Sequence, residues 1–396
     1  MNNIYAALEI ANGGVKLLVG YYFNGRVYVL HALQSTSASL TNGYIDDVKK
    51  VAVSIKEVVN SAQSQLGYKI EEVCLCLPPI DMEIKTDTAM TSTVGSDSIV
   101  TGSDVINVTT MIKKKVSEPG KKIVAIIPHK YLLDNGQSYR ELPSRAFSNS
   151  LTVEADCELV DENIFETYKE ACEEAGLKVQ SFVLAPFATI KLLESYEQIP
   201  AQYVLIDIGA KLTDIALVFE NRLLAGRAVS FGGDDVVKAV AKELNLTFDQ
   251  AFHYVEVYGL TSGPSFEFRT EAGFTLDRLA AVIRKTLVSL SNHIKNALNE
   301  FGLRELPTVI LSGGGANLVG LDEFISETFM INVMVFTPKN FGARNKSYAN
   351  LLGMIKYISL NPPKNYQRKN TDFTLTRVGI PVPARKGKPG TDDESL

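Results

Sequence analysis

Two strand-rich segments, one at the amino terminus and one in the middle of the chain, constrain the fold more than any other feature of the sequence. The first begins with an apolar run over residues 5–10 that meets an Asn-Gly-Gly turn at 12–14. Alternating apolar and polar residues follow over 15–22 and 27–33, on either side of an Asn-Gly turn at 24–25. Short alternating runs joined by such turns are typical of β-hairpins, so a three-stranded meander is predicted here.

The middle of the chain repeats this plan. A second apolar run over residues 203–208 meets a turn that begins at Gly209, and further strands are predicted over 215–219 and 222–230. The chain has 396 residues, and a single hydrophobic core seldom grows beyond roughly 250 residues. We therefore predict a duplicated α/β fold with two lobes, each of which begins with one meander.

Helical periodicity and short apolar runs indicate the other elements. Strands are predicted over residues 73–77, 122–127, 179–184 and 308–311, and helices over 46–66, 102–116, 162–176, 186–196, 234–244, 248–258 and 276–301. Between the first lobe's strands, residues 80–155 change in character to short β-rich runs around one helix. This stretch is predicted to be a small inserted α/β subdomain.

These elements predict a division of the chain. Lobe 1 takes residues 1–80, 156–200 and 336–360, the inserted subdomain takes 81–155, and lobe 2 takes 201–335 with an outer part at 234–300. From residue 361 onward, prolines, lysines and an acidic end replace any helical periodicity. Residues 361–396 are therefore predicted to be a disordered tail.

Composition excludes several classes of protein. The net charge is −5, and 45% of the residues are apolar and 21% charged. The chain lacks the excess of Lys and Arg that phosphate neutralisation requires, so nucleic acid is not an expected partner. Cys74, Cys76, Cys157 and Cys172 have no zinc-site spacing and are expected to be reduced thiols in a cytosolic protein. The sequence has no secretory leader pattern and no apolar window of membrane-spanning length.

Three glycine-bearing turns, each directly after an apolar strand, carry the predicted chemistry. They lie at residues 12–14, at Gly209 and at 313–315. Phosphate can approach a backbone closely where no Cβ intervenes, and the exposed N–H groups of such turns bind anions. One glycine turn is most often only a turn, but three at corresponding places in the chain predict a shared nucleotide site.

The residues of these turns resemble a known superfamily. LEIANGGVK, VLIDIGAKLTDIAL, FGGDDV and VILSGGGANLVGL resemble, in order, the two phosphate loops, the ribose-side turn and the adenosine loop of the actin, sugar kinase and chaperone ATPase superfamily. TNGYIDDVKK, LPPIDMEI, IIPHKYLLDNGQSYRELP and SYANLLGMIKYI resemble the FtsA type of bacterial division protein. The resemblance implies an actin-like two-lobed fold of duplicated ribonuclease-H-like domains with an inserted subdomain.

The resemblance also implies the residues of an ATP site. The implied nucleotide-binding residues are Asn12, Gly13, Gly14, Lys16, Gly209, Thr213, Gly232, Gly233, Gly313, Gly314, Gly315 and Asn317. Lys16 would pair with phosphate oxygens, and Asp207 and Asp214 would orient Mg²⁺ through its bound water. The alternatives are a surface lysine on a strand and two carboxylates that cap turns.

Several positions depart from the superfamily pattern. The second phosphate loop, which is usually rich in glycine, contains Ala210, Lys211 and Leu212, and Glu9 replaces an aspartate. Ala185 occupies the position where many relatives carry a glutamate that polarises the attacking water. On the adenosine side the departures are Ala251, Phe252, Val255, Thr286 and Ser289. The expected activity is therefore at most a very slow ATPase, with no catalytic residue assigned and with nucleotide binding either weakened or lost.

The resemblance implies a division scaffold that assembles into actin-like filaments and recruits the FtsZ ring. FtsA relatives bind the FtsZ tail on the outer part of lobe 2, where Arg278, Arg284, Lys285 and Asn292 could meet an acidic peptide. A pilus-assembly ATPase and, less strongly, a small-molecule kinase are the alternative functions.

The expected location is the cytoplasmic face of the membrane at the division site. The FtsA type ends in an amphipathic membrane-binding helix, whereas residues 373–382 here alternate like a strand and the last residues are acidic. Membrane contact is therefore expected to be weak or to depend on another protein.

Overall fold

A computed structural model of the chain describes residues 3–35, 39–95, 97–261 and 270–362, together with the backbone of a short strand at 375–377. The strands are β1 (Tyr5–Ala11), β2 (Gly14–Phe23), β3 (Arg26–Gln34), β4 (Leu40–Thr41), β5 (Tyr44–Ile45), β6 (Tyr68–Ile70), β7 (Glu72–Leu77), β8 (Glu83–Ser92), β9 (Lys121–Leu133), β10 (Ser138–Tyr139), β11 (Ser150–Asp161), β12 (Lys178–Leu184), β13 (Gln202–Ile208), β14 (Thr213–Phe219), β15 (Arg222–Val229), β16 (Val309–Ser312), β17 (Val333–Val335) and β18 (Leu375–Arg377). The helices are α1 (Val48–Leu66), α2 (Gly102–Val116), α3 (Glu162–Glu174), α4 (Ala185–Leu193), α5 (Gly233–Leu244), α6 (Phe248–Tyr258), α7 (Leu276–Glu300), α8 (Leu321–Phe329) and α9 (Ala349–Leu360), with 3₁₀ turns at Gly314–Asn317 and Lys346–Tyr348.

Two five-stranded sheets have the same topology. In one, the strand order is β12-β7-β1-β2-β3, and in the other it is β17-β16-β13-β14-β15. In each, the meander pairs antiparallel and the two outer strands on the other side add in parallel. This repetition is the topology of the predicted duplicated α/β fold.

The two meanders also match in register. Glu9 lies opposite Lys16 on β1 and β2, and Asp207 lies opposite Asp214 on β13 and β14. Both pairs lie close to the turn that joins their strands. The hairpin turns at 12–13 and 209–212 fix which residues face each other. The duplicated register therefore brings four charged side chains to corresponding ends of the two sheets.

Helices form where an apolar stripe meets good terminal residues. In α1 the buried residues Val51, Ile55, Val58 and Ala62 recur at helical spacing, and the Asp47 side chain accepts a hydrogen bond of 3.1 Å from the Lys50 amide. The helix ends at Gly67, whose φ of +70° is in the left-handed region that glycine adopts readily. The predicted helix over 46–66 is thus found with a start two residues later.

A separate four-stranded sheet with the order β10-β9-β11-β8 forms the inserted part of the chain. Alternate residues of β11, such as Val153 and Cys157, are buried in a core shared with α2. The other face of the sheet turns toward lobe 2, where Arg222 on β15 donates two hydrogen bonds of 2.8 Å to the Asp156 carboxylate. Because β11 pairs with β8 as far as Leu159 and, with two register shifts, with β9 as far as Asp161, we propose that this subdomain extends beyond the predicted boundary at 155.

The predicted disordered tail lies mostly outside the described residues. Residues 363–374 and 378–396 are not described, whereas α9 ends at Leu360 and Leu375–Arg377 pair antiparallel with Tyr68–Ile70. A strand was predicted from the alternation over 373–382, and these three residues fall within it. The disorder predicted for the tail stays a prediction for the residues that the structure does not describe.

Helices α4 and α9 cross closely at Gly353. A Cβ at this position would overlap the Ala188 carbonyl oxygen on α4. α9 also packs on β1 and β2, while α4 contacts β14 and β15, so this helix pair joins the two lobes. The close crossing at Gly353 therefore lies within the packing that connects the two lobes.

We expect Gly353→Ala to lower the free energy of unfolding by about 2–3 kcal/mol, because the added methyl group must push two buried helices apart. Urea unfolding followed by circular dichroism measures the change. Gly302→Ala serves as a control, since a Cβ there meets no atom within 4 Å, although its φ of +71° adds a smaller backbone cost. Equal losses for the two variants would contradict a special role for the helix crossing.

Candidate functional site

The glycine turns meet in one cleft between the two lobes, with a volume of about 640 Å³. A volume of this size accommodates a nucleotide. Of the residues predicted for the site, those that line the cleft are Asn12, Gly13, Lys16, Asp207, Gly209, Asp214, Gly232, Gly233, Gly313, Gly314, Gly315 and Asn317. The structure therefore brings together residues from three separate parts of the chain.

Gly14 and Thr213, also predicted for the site, do not line the cleft, and both have roles in the local structure. Gly14 has a φ of +121°, and a Cβ there would overlap the Ser35 carbonyl oxygen. Thr213 is fully buried, and its hydroxyl donates a hydrogen bond of 2.7 Å to the Phe231 carbonyl. Their positions next to true cleft residues explain why the sequence pattern included them.

Some cleft glycines are also required by the packing of the loops themselves. Cβ atoms at Gly313 and Gly315 would overlap Asp207 and Ile208 at the end of β13, and one at Gly232 would overlap the backbone of Ala210. Gly314 and Gly233 are different, because a Cβ there would meet nothing closer than 3.8 Å. The glycine signal in the sequence thus combines loop packing with open approaches to the cleft.

The amino terminus of α5 makes bonds within the protein. Gly233 N–H donates to the Gly209 carbonyl at 3.0 Å, and Asp234 N–H donates to the Ala210 carbonyl at 2.8 Å. The carboxylate of Asp235 accepts a hydrogen bond of 2.9 Å from Gly232 N–H. These donors hold the second glycine turn against the ribose-side turn and are already engaged, so phosphate recognition falls to other groups.

Lys16 sits at the inner end of the cleft and is 7% exposed. Its Nζ lies 2.7 Å from Glu9 Oε2 and donates a hydrogen bond of 2.7 Å to the Ser347 carbonyl. Burial opposes the charged ammonium, but the adjacent Glu9 carboxylate outweighs this effect and raises the pKa of Lys16. The alternative prediction of a surface lysine is therefore wrong, and the amine is held charged inside the cleft.

Asp207 and Asp214 add two further carboxyl groups beside Lys16. Burial, together with the charge of Glu9, raises the pKa of Asp207 to about 6 despite the opposing effect of Lys16. Burial and the neighbouring Asp207 carboxyl raise the pKa of Asp214 well above its ordinary value. Three carboxyl groups thus lie near one ammonium, and a cation bound among them would favour the ionised forms of Asp207 and Asp214.

The donor set suits a hydrated metal ion better than a directly ligated one. Within the described ranges, no group of three or more His, Cys, Asp or Glu side chains is arranged to hold a metal ion. Asp207 and Asp214 face each other across β13 and β14 and both line the cleft. Two such carboxylates fit an Mg²⁺ ion that keeps most of its water and is bound together with phosphate.

The outer end of the cleft is apolar. It is lined by side chains from α5, α6 and α7, namely Val236, Val237, Phe248, Phe252, Val255, Leu287 and Leu290. Phe248 and Phe252 are 42% and 48% exposed, which is high for phenylalanine. The sequence pattern identified Phe252 and Val255 as departures from the family, but it missed Phe248 and the two leucines because helical spacing alone reads them as core.

The departures near the phosphate end also line the cleft. Ala185 begins α4 and is 4% exposed, and its methyl side chain offers no proton acceptor. Leu212 packs across to lobe 1, where a Cβ added at Gly43 would lie 2.8 Å from Leu212 Cδ1. The second turn therefore places a branched apolar side chain where a glycine-rich loop would leave space.

The four residues predicted to bind a partner are exposed on α7. Arg278, Lys285 and Asn292 recur every seven residues and so form one stripe along the helix. Arg284 lies on a different side, with its NH1 3.8 Å from Glu327 Oε2 on α8. Of the four predicted partner-binding residues, Arg278, Lys285 and Asn292 therefore share one exposed side of α7, and Arg284 does not.

Two further expectations concern the rest of the chain. The four cysteines are free thiols and are buried. Among the described helices, none combines the length and the apolar character needed to cross a bilayer.

The fold and its cleft define an actin-like protein, with two lobes of the same topology around a site built from their turns. Solved structures support this class. A chain from a PilM-PilN type IV pilus biogenesis complex aligns with a TM-score of 0.63 and 19% identity, covering 90% of this chain and 99% of that one. MreB5 of Spiroplasma citri bound to ADP aligns with a TM-score of 0.54 and 12% identity, covering 93% and 99%. The predicted fold class is confirmed.

Within this class, the resemblance to FtsA is confirmed. The family model described as cell division protein FtsA matches residues 204–353. Cell division protein FtsA of Enterococcus hirae is 26% identical over 380 residues, which cover 92% of this chain and 85% of that protein. The FtsA of Bacillus subtilis is 22% identical over 373 residues, which cover 91% and 84%.

Proposed function

We propose that this chain is a cell-division scaffold that binds ATP between its lobes, assembles into actin-like filaments and recruits the FtsZ ring. The observation that carries the proposal is the similarity to cell division protein FtsA over most of the chain. The similarity to the pilus complex chain is lower in sequence identity and supports the fold alone. A division role is therefore favoured over pilus assembly.

The proposed nucleotide lies along the cleft from its charged end to its apolar end. Lys16 would pair with phosphate oxygens, and Asp207 and Asp214 would orient the water around Mg²⁺. Gly13 would allow close approach of the phosphates, and Gly314 and Asn317 would face the adenosine; all three line the cleft. The bound nucleotide would join the lobes and so fix the shape of the subunit for assembly.

The apolar outer end suits the base of the nucleotide. Phe252 presents an exposed aromatic side chain to the cleft, and stacking on an aromatic ring suits every base because each has a π-face. We expect this end to contribute affinity mainly through apolar contact.

We propose that the stripe of Arg278, Lys285 and Asn292 on α7 binds an acidic peptide, namely the tail of FtsZ. Exposed cations on a helix pair with carboxylates and steer an oppositely charged partner toward the surface. Reversing Arg278 and Lys285 to Glu is expected to weaken binding of an FtsZ tail peptide by about tenfold, since two attractive charges become repulsive. Fluorescence anisotropy with a labelled peptide measures the change.

A matched control is available on α1. Lys49 and Lys56 are exposed and have the same spacing of seven residues on a lobe 1 helix, so Lys49→Glu with Lys56→Glu changes the net charge equally. Peptide binding should survive in this control. Equal weakening in both double variants, or none in either, would show that the peptide site has been placed on the wrong surface.

Co-sedimentation tests the scaffold as a whole. The protein is expected to pellet with FtsZ filaments, and pelleting should increase when ATP is added, because nucleotide fixes the two lobes. Failure to pellet with FtsZ under either condition would remove the division proposal.

A further inference from the structure

The ammonium of Lys16 is bound within the protein, although it is the cation expected to meet phosphate. Two acceptors hold it, the Glu9 carboxylate and the Ser347 carbonyl, each at 2.7 Å. The side chains of Lys16 and Glu9 are only 9% and 13% exposed. A phosphate group that enters the cleft therefore meets a lysine that is already paired with a carboxylate.

Glu9 is itself fixed in this position. Asn350 on α9 donates a hydrogen bond of 3.3 Å from Nδ2 to Glu9 Oε1, and the Thr189 hydroxyl on α4 donates to Asn350 Oδ1. All three residues are buried or partly buried. A carboxylate held by such a chain of bonds cannot swing away from Lys16 without breaking the chain.

We propose that Glu9 competes with phosphate for Lys16 and that this competition keeps the nucleotide affinity of the cleft low. The inference rests on the proposed function, because it assumes that a nucleotide enters the cleft. A phosphate group that reaches Lys16 either shares the ammonium with Glu9, next to a carboxylate of the same charge, or displaces Glu9 and leaves that buried carboxylate unpaired. An uncompensated buried charge is costly, and this cost opposes binding.

The competition depends on contact as well as on charge. Glu9 reaches Lys16 through two methylene groups, whereas the aspartate usual at this position in the superfamily has one. A shorter side chain keeps the negative charge but draws the carboxylate back from the amine. The variant Glu9→Asp therefore separates loss of contact from loss of charge.

Isothermal titration tests the proposal with two probes, ATP and inorganic tripolyphosphate, each in the absence of Mg²⁺. We expect Glu9→Gln to bind both probes about tenfold more tightly than the wild type, since Lys16 is released for phosphate. Glu9→Asp should also bind both probes more tightly. In the Lys16→Met background, Glu9→Gln should give little gain, because the competing contact no longer exists.

The outcomes separate the inference from the function on which it rests. If the wild type binds ATP and neither Glu9 variant binds more tightly, the inference is wrong and the proposed nucleotide site stands. An equal gain from Glu9→Gln with Lys16→Met in place would also overturn it, since the effect would then be a general one of charge. If neither probe binds the wild type or any variant, the proposed nucleotide function fails as well.

A thermal shift supplies a second readout. Glu9→Gln leaves Lys16 buried without its carboxylate, so the unliganded variant should melt at a lower temperature than the wild type. Saturating tripolyphosphate should raise the melting temperature of Glu9→Gln more than that of the wild type, because binding stabilises the folded state according to affinity. A smaller rise in the variant would contradict the proposal.

Discussion

Purified protein is expected to release phosphate from ATP at well under about one per second, on the order of 100-fold or more below an ordinary enzyme. Phosphoryl transfer needs positioned phosphates, a metal and an oriented water. In this chain, Ala185 lines the cleft with a methyl group that cannot orient water, and Leu212 adds a branched apolar side chain to the turn at 209–212. Binding can persist without these elements, but turnover cannot be fast.

The same reasoning predicts the state of any bound nucleotide. Nucleotide extracted from the protein after incubation with ATP should be recovered largely as the triphosphate, as measured by anion-exchange chromatography. Ala185→Glu alone should not restore turnover, because Leu212 still packs across to lobe 1 beside Gly43. A restored rate in this single variant would show that the missing carboxylate, and not the loop, limits the reaction.

Lys16→Met provides the control for this assay. Phosphate release that continues unchanged in this variant comes from a contaminating ATPase, since Lys16 lines the cleft and is the residue proposed to pair with phosphate. Turnover near one per second or faster that disappears with Lys16→Met would contradict the slow-ATPase prediction. A kinase or an active ATPase would then become the leading function.

The meanders and most helices could be predicted from the sequence because their signals are local. Asn-Gly turns between alternating runs fix the hairpins, and the hairpin turn at 12–13 also determines that Glu9 faces Lys16. That pair was available from the sequence by counting outward from the turn. What no local pattern could show is that Ser347 and Asn350, from the far end of the chain, complete the surroundings of the pair.

The glycine signal was informative but mixed. Gly314 and Gly233 leave open space toward the cleft, while Gly14 and Gly232 are glycines because a Cβ would overlap the backbone of Ser35 or Ala210. Both reasons give the same letter in a sequence. Only the packing of one loop on another, which depends on the tertiary fold, separates them.

The inserted subdomain shows a different limit. Alternation along β11 indicates one buried face, and the charged residues Asp156 and Glu158 on the other face look like a solvated surface. In the structure β11 is buried on both faces from Ala155 to Val160, with α2 packed on one face and Arg222 of lobe 2 bonded to Asp156 on the other. The second buried face comes from the docking of two domains, which period-2 patterning does not report.

Glu158 is the most unusual residue on this second face, and its charged neighbour Lys191 lies on α4. It is 1% exposed, and neither carboxyl oxygen has a hydrogen-bond partner among the residues that the structure describes. Burial raises the pKa of Glu158 to about 8, with Lys191 opposing the shift and Asp156 adding to it. The same carboxyl group contributes, after burial, to raising the pKa of Tyr357 on α9 to about 12. A neutral carboxylic acid is thus favoured in the folded state.

We expect Glu158 to make the folded protein less stable as pH rises. The unfolded chain releases this proton near the ordinary pKa of 4.5, whereas the folded chain retains it up to about 8. Between these values the folded state binds more protons, so the free energy of unfolding falls with rising pH, by a total on the order of 5 kcal/mol. The contribution is complete below the unfolded pKa and is lost once pH exceeds the folded pKa.

Glu158→Gln isolates this contribution because it keeps the shape of the side chain and removes the titration. Urea unfolding at pH 5.5 and at pH 8.5 should show the variant gaining stability relative to the wild type at the higher pH, by several kcal/mol. Glu154→Gln is the matched control, since Glu154 lies on the same face of β11 but is 34% exposed and has Lys130 Nζ 3.8 Å away. If the stability of the wild type and that of Glu158→Gln change with pH by the same amount, the carboxyl group has a partner in solution.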